Sequence, residues 1–314
     1  MTELEQHRQH LQNPNTQMDD EIDLRELFSA IWQGKWLIMV VTFVFAVGSV
    51  FYALSLPDIY KSEALLAPAS DNSGMKVPGQ LGGLAALAGV SFGGGGGDKT
   101  ALAIEVLKSR DFIGRFIEKY GLFVPVMAAE GWNRSDNSLK INPELYNIEN
   151  KAWVREVVAP FKPKPSILET YAKFKEMLTV SQDKSTSMVT LSFEHFSPFL
   201  AQEWVSLLVK EVNEEMRRRE LEEAERSITY LTNQINTTDI ADVQTMLFSL
   251  VEEQTKTVML ANVRSEYVFK IIDPAVVAEK KSGPKRALIC ILAIMLGGLL
   301  SVIWVLIHYF SSKK

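Results

Sequence analysis

The stretch WLIMVVTFVFAVGSVFYALSL, Trp36 to Leu56, carries no charged residue, and how it is read decides the architecture of the whole chain. Its 21 residues, wound as a helix, rise about 32 Å, which matches the hydrocarbon core of a bilayer. A second stretch, ALICILAIMLGGLLSVIWVLIHYF, runs from Ala287 to Phe310, again without Asp, Glu, Lys or Arg. Trp36 and Tyr52 stand near the ends of the first, Trp304 and Tyr309 near the end of the second, where amphipathic rings suit the headgroup level. Both are predicted to be transmembrane helices. The competing reading, two core helices of a soluble protein, fits poorly with long uncharged runs at the two extremes of the chain. A cleaved signal peptide has a short basic start and an apolar stretch of about 7–15 residues. Here the first run follows 35 residues that include Asp19, Asp20, Glu21, Asp23 and Glu26, so an uncleaved anchor is predicted.

Two spans put both termini on one side of the membrane. Arg25 and Lys35 before the first span, against Lys61 after it, favour a cytoplasmic amino terminus. Lys280, Lys281, Lys285 and Arg286 before the second span, against Lys313 and Lys314 after it, point the other way. The 230 residues between the spans form a long loop, and such loops translocate largely regardless of charge. The organisation expected is an amino-terminal cytoplasmic segment over 1–35, a transmembrane helix over 36–56, an extracytoplasmic α+β domain over 57–286, a second transmembrane helix over 287–310 and a cytoplasmic tail over 311–314. In the second span Ala293, Gly297 and Ser301 are spaced four apart and share one helix face, which Gly298 widens. That strip reads either as a packing face within an assembly or as the ordinary glycine content of a membrane helix.

Between the spans, the alternation of Tyr60, Ser62 and Ala64 with Lys61 and Glu63 predicts a short strand. Gln80 to Phe92, QLGGLAALAGVSF, is too short to span a bilayer as a helix and reads as a membrane-proximal or subunit-packing segment, or as a buried loop. Gly93 to Gly97 resembles a phosphate-cradling loop only superficially. Asp98 stands where that motif needs a glycine before its lysine, so the run reads as a flexible linker. Lys99 to Tyr120 is helical in pattern and stops at Gly121. Residues 122 to 165 are mixed, with Trp132, Asn133, Pro143, Pro160, Pro163 and Pro165 marking loops, while 167 to 177 reads as a helix and Leu178–Ser181 with Met188–Phe193 as a hairpin. After Pro198, Leu200, Trp204, Leu207, Leu208, Val212, Leu221, Ala224, Ile228, Leu231 and Ile235 keep helical spacing, predicting one helix from about 198 to 235.

The gap in that pattern, 213 to 220, holds Arg217, Arg218 and Arg219 beside Glu214, Glu215 and Glu220. It reads as a solvated face, with a subunit or polyanion contact as the alternative. Asn236 to Asp239 supplies turn and N-cap residues, a second helix is predicted from about 240 to 262, and Tyr267 to Ile272 alternates as a strand. The fold class is therefore α+β: a small base close to the membrane, a long helical hairpin arm, and first and last strands that can pair with each other.

The chemistry of an enzyme is missing from the pattern. A net charge of -5 offers no basic stripe, so nucleic acid is not an expected partner. Cys290, the single cysteine, excludes an internal disulfide and a cysteine zinc site. The four histidines, His7, His10, His195 and His308, lack a second ligand at metal spacing. No nucleophile elbow, nucleotide fingerprint or kinase signature is present. No metal and no cofactor is expected.

Several blocks in order resemble the Wzz-type polysaccharide chain-length determinants. These are DEIDLRELFSAIWQGKWLI (Asp20 to Ile38), IYKSEALLAP after the first span, GGLAALAG (Gly82 to Gly89), VLKSRDFIGRFIEKYGL (Val106 to Leu122) and YVFKIIDPAVVAEKKSGPKRALI leading into the second span. Members usually carry several spaced prolines before the second span. This chain has Pro274 and Pro284 but Ala278 to Lys281 where another would stand, and it leaves no room for the cytoplasmic tyrosine-kinase domain of larger relatives.

The resemblance implies a non-catalytic inner-membrane regulator that forms ring-like homo-oligomers, with both termini cytoplasmic and the main domain periplasmic. It implies action with a Wzy-type polymerase on an undecaprenyl-linked polysaccharide such as O-antigen, in contact with membrane lipid. Pro284, Lys285, Arg286, Ala293, Gly297, Gly298 and Ser301 are the expected residues of assembly or polymerase coupling. Competing readings are an exopolysaccharide or capsule co-polymerase or export component, a two-span sensor, and an enzyme acting on lipid-linked glycan.

Overall fold

The computed structural model describes residue 28 and residues 31–69 and 95–312. In chain order these form α1 (Lys35–Ser55), β1 (Tyr60–Pro68), α2 (Gly95–Lys108), α3 (Arg110–Tyr120), α4 (Phe123–Met127), β2 (Ala129–Asn133), β3 (Ser138–Ile141), β4 (Tyr146–Asn147), β5 (Ala152–Trp153), α5 (Ile167–Met177), β6 (Leu178–Gln182), β7 (Val189–His195), α6 (Pro198–Thr237), α7 (Ala241–Val263), β8 (Phe269–Asp273) and α8 (Arg286–Ser312). The segment Gln80 to Phe92 lies outside the described residues. Two units emerge: Met1–Leu56 with Lys285–Lys314, and Pro57–Pro284.

In the first unit α1 packs along α8, and both are long and apolar enough to cross a membrane. Most of their large side chains, such as Met39, Phe43, Leu296 and Leu299, are exposed. A soluble core would bury such side chains, whereas lipid tails solvate them.

The second unit is built on an antiparallel sheet in the order β6-β7-β1-β8. Tyr60 pairs with His195 and Leu66 with Val189 across β1 and β7, while β1 also pairs with β8 from Leu65 opposite Asp273 to Pro68 opposite Phe269. The first and last strands of the unit thus lie side by side. Alternate residues of β1, Ser62, Ala64 and Leu66, are buried, the period expected of a strand with one covered face. The cover includes the amino-terminal half of α6, whose Ala201, Trp204, Val205, Leu208, Val209, Val212 and Met216 face inward at spacings of three and four. Phe174, Phe193, Trp204 and His195 form the aromatic centre of the core, with ring centroids 4.8 Å apart for Phe174–Phe193 and 5.2 Å for Phe193–Trp204.

Local signals place the helix ends. Ser197 caps α6, Pro198 opens it, and Ser166 with Glu169 forms a capping box at α5. The 99–120 stretch is two helices because Ser109 breaks it, accepting from the Phe112 amide as the N-cap of α3. Gly121, at φ 65°, takes the left-handed conformation that ends α3 and lets the Leu122 amide reach the Ile117 carbonyl.

Three expectations are corrected or refined. Gly95 to Gly97 belong to the first turn of α2 and are not linker. Residues 122 to 165 contain α4 and the hairpins β2–β3 and β4–β5, whose strands are too short to show alternation. Helix α7 is capped by Ile240 without a side-chain hydrogen bond, so Asn236 to Asp239 do not supply the cap. Instead the Gln244 side chain donates to the Thr238 carbonyl at 2.7 Å and steadies the tip of the arm.

Candidate functional site

The first candidate is the small-residue strip of α8. Gly297 faces α1: a Cβ there would stand 2.7 Å from both Cβ and Cγ of Phe45, inside any tolerable contact. The helices approach this closely because the position has no side chain. Ser301 is buried, and its hydroxyl is spent within its own helix, donating to the Gly298 carbonyl at 2.7 Å. Gly34, just before α1, meets Val305 in the same intimate way. Gly298 is looser, with Thr42 Oγ1 3.9 Å from a Cβ placed there. Ala293 lines a shallow apolar groove of about 500 Å³ with Val44, Phe45, Gly48, Ser49 and Tyr52. A Cβ at Gly48 would meet nothing within 4 Å.

The basic residues before the second span are divided. Arg286 opens α8, and its guanidinium donates to the Leu56 carbonyl at 2.9 Å. The Lys285 carbonyl accepts from the Leu288 and Ile289 amides. Pro284 ends the other unit, where Gly283 pairs with Ile59. The seven residues expected to act together therefore occupy two units, and within the first of them Gly297, Ser301 and Arg286 make contacts with their own chain.

The second candidate was only partly legible in the sequence. The charged gap in α6 is a solvated face only in part: Glu214, Arg218 and Arg219 are exposed, but Glu215 is not. Glu215 is 6% exposed and sits under three guanidinium groups: Arg115 Nη1 at 3.1 Å, Arg218 Nη2 at 2.8 Å and Arg219 Nε at 2.6 Å. Burial alone would push its carboxyl upward, but the three charge-assisted hydrogen bonds outweigh that and hold it down at about 2. One turn earlier Glu211 accepts from Lys119 Nζ at 2.7 Å and from the Tyr120 hydroxyl at 2.7 Å. Farther along, Lys99 reaches Glu220 at 2.9 Å. These pairs form a ladder that straps α2 and α3 to the long helix. A cleft of about 300 Å³ between α3 and α6 is lined by this ladder and by Phe112 and Phe116. Arg115, Lys119, Glu211, Glu215 and Arg218 in its wall all have opposite partners, an arrangement suited to holding the helices together.

Asn213, in the same gap, also escaped the periodic reading. It is buried, its Oδ1 accepting from the Val268 and Phe269 amides at 2.8 and 2.9 Å and its Nδ2 donating to the Val209 and Phe269 carbonyls. A polar residue in phase with Val209 and Val212 is the one signal that could have found it. His195, at the end of β7, is buried too. Its Nδ1 accepts from the Ser197 amide, so Nε2 carries the proton and donates to the Pro125 carbonyl at 3.1 Å. Burial pushes the imidazole down, against the backbone bonds, so it is neutral and structural. Among the described residues no group of three or more His, Cys, Asp or Glu could hold a metal ion.

Two helices of membrane-crossing length enclose an α+β unit. Residues 20–120 match the family model described as Wzz, chain length determinant protein. Residues 236–310 match a model described as a G-rich domain on putative tyrosine kinase, which here covers the returning helix of the arm, β8 and most of the second span. About a third of the chain is thus similar to the chain-length determinant family, and its two long apolar helices suit a multi-pass membrane protein with a large domain between the spans. Two solved structures are similar to it. One, described as a full-length bacterial polysaccharide co-polymerase, is 13% identical, with 93% of this chain and 99% of that chain covered and a TM-score of 0.40. The other, a fragment of WzzB, polysaccharide co-polymerase from Salmonella Typhimurium, is 11% identical, with coverages of 72% and 99% and a TM-score of 0.27. At these scores neither adds to the assignment. No curated protein sequence matches the chain.

Proposed function

We propose that this protein is a non-catalytic regulator of polysaccharide chain length that acts as an oligomeric scaffold. The match of residues 20–120 to the chain-length determinant model supports the coarse reading. The observation that carries the finer one is the arm. Helix α6 is 40 residues long, about 60 Å, yet beyond Met216 the one residue it buries is Ala224, and α7 buries Ala261. A hairpin with so little inner surface covered by its own chain is stabilised by neighbours of the same kind, and a ring of copies supplies them. Such a scaffold raises the effective concentration of a Wzy-type polymerase and its undecaprenyl-linked, O-antigen-type substrate around one another. Length is then set by assembly geometry and not by a reactive group.

In this scheme Gly297, Ser301 and Arg286 hold the two spans of one subunit together. Ala293 and Gly298 stand at the more open part of the strip, which leaves them, with Pro284 and Lys285, for coupling to another subunit or to the polymerase. An exopolysaccharide or capsule co-polymerase would use the same architecture.

The test is the length distribution of surface polysaccharide on a gel, with and without the gene in its own host. Loss of a modal band, with polymer still made at unregulated length, is the expected result. Complete loss of polymer would point instead to synthesis or export, and an unchanged ladder would overturn the proposal. Substitution of single exposed periplasmic carboxylates is expected to leave the ladder unchanged, which separates a scaffold from an enzyme.

A further inference from the structure

We infer that the periplasmic unit has a lipid-facing foot: the aromatic cluster of Tyr60, Trp132 and Phe199 rests in the headgroup region of the outer leaflet of the inner membrane.

The argument begins with chain length. Ser55 ends the first span and Tyr60 starts β1, and five residues of chain reach at most about 18 Å. The second attachment is as short. Gly283 pairs with Ile59, the Ile59 amide donating to the Gly283 carbonyl at 3.0 Å, and α8 begins three residues later at Arg286. Both tethers therefore leave from one end of the unit, the end where β1 starts and β7 finishes. Whatever lies on that end is held close to the bilayer surface by covalent reach alone.

What lies there is apolar and aromatic, and it is separate from the core. The Tyr60 and Trp132 rings meet edge to face at 5.6 Å, and Trp132 meets Phe199 at 6.1 Å. Phe199 is 45% exposed at the first turn of α6, whose Ala201 faces the core. Val276 is 64% exposed and is fixed to this end by the Ser62 hydroxyl, which donates to its carbonyl at 2.7 Å. Trp132 turns its indole N–H outward along its own hairpin, to the Asn137 side chain at 2.8 Å, so its polar edge is satisfied while its ring stays half-exposed. Tyr and Trp with one apolar and one polar side are the residues that suit the boundary between water and acyl chains. The turn that follows Trp132, residues 134–137, is fully exposed and would lie in the headgroup layer. Continuity with the two spans is what selects lipid over a soluble partner as the occupant.

The test uses the full-length protein in vesicles of phosphatidylethanolamine and phosphatidylglycerol. In a Cys290→Ser background, a nitroxide is attached at Ser135→Cys in the hairpin turn, and separately at Lys184→Cys in the β6–β7 turn at the opposite end of the sheet. Collision rates with oxygen, which concentrates in lipid, are compared with those of a water-soluble nickel complex. The expected result is that the Ser135 site favours oxygen several-fold relative to the Lys184 site, and that Phe199→Ser reduces that preference while the unit keeps its resistance to protease. A Ser135 site as open to nickel as Lys184 would overturn the inference. So would protection from both reagents, since that means the face is covered by protein, or a preference that Phe199→Ser leaves unmoved.

Discussion

Asn213 makes four hydrogen bonds in a place where water cannot replace any of them. Replacing it with leucine keeps the branching at Cγ but strands two amides and a carbonyl of the segment entering β8. Each stranded group costs about 1–3 kcal/mol, with partial relaxation, so Asn213→Leu is expected to lose roughly 2–4 kcal/mol in denaturant unfolding. A loss below about 1 kcal/mol would show that the segment satisfies itself another way. Glu215 makes a prediction about pH. Its folded carboxyl titrates at about 2, below its ordinary value of 4.5. A depressed carboxyl stabilises the fold fully above its unfolded value and loses that contribution as pH falls toward the folded one. The stability gap between the wild type and Glu215→Gln should therefore be widest above pH 5 and close progressively between about pH 4.5 and 2. Urea midpoints across that window measure it, and a gap independent of pH would contradict the assignment.

At the scale of elements, the contact between the spans depends on which glycine is changed. Gly297→Leu drives a side chain into Phe45, whereas Gly298→Ala and Gly48→Ala meet nothing closer than 3.9 Å. Cross-linking between paired cysteines on α1 and α8 should be lost in Gly297→Leu and retained in the two alanine variants. The polysaccharide ladder should follow the same division. If Gly298→Ala disturbs the ladder while cross-linking survives, that residue touches something outside its own subunit, as proposed for coupling. Spacing alone could not rank these positions, because four-residue intervals say which residues share a face and not how near the opposing helix comes.

Across the whole molecule, stability is uneven along one helix. The first half of α6 is core, from Ala201 to Met216, and its second half is an arm that its own chain scarcely covers. Amides in open regions exchange with solvent through small local openings, while core amides exchange only through global unfolding. Hydrogen exchange on protein dispersed to single subunits in detergent should therefore be slow over 200–216 and fast over 225–250. Assembly should slow the second region selectively. Equal protection of both halves in the dispersed protein would mean that the hairpin is self-sufficient, and the argument for neighbours along the arm would fail.

Much of this architecture was legible in the residues themselves. Trp36 to Leu56 and Ala287 to Phe310 announce membrane helices because such long runs of uncharged side chains match the thickness and polarity of a bilayer core. The long helix follows from its spacing, and the β6–β7 hairpin from two apolar runs around a polar turn. The site was less legible. The charged gap in α6 looked solvated because charge normally seeks water. Only the arrival of Arg115 from α3, a hundred residues away in sequence, converts Glu215 into a buried strap. The same holds for the foot: Tyr60, Trp132 and Phe199 are ordinary singly, and they become a surface because ring packing brings a separate hairpin against the end of the sheet where β1 starts and β7 finishes. Periodicity and hydrophobicity are local properties, so the sequence by itself determined the spans, the helices and the class of fold. Partners for a charge, a glycine or an aromatic ring are chosen by packing across the chain, so these only the tertiary structure decided.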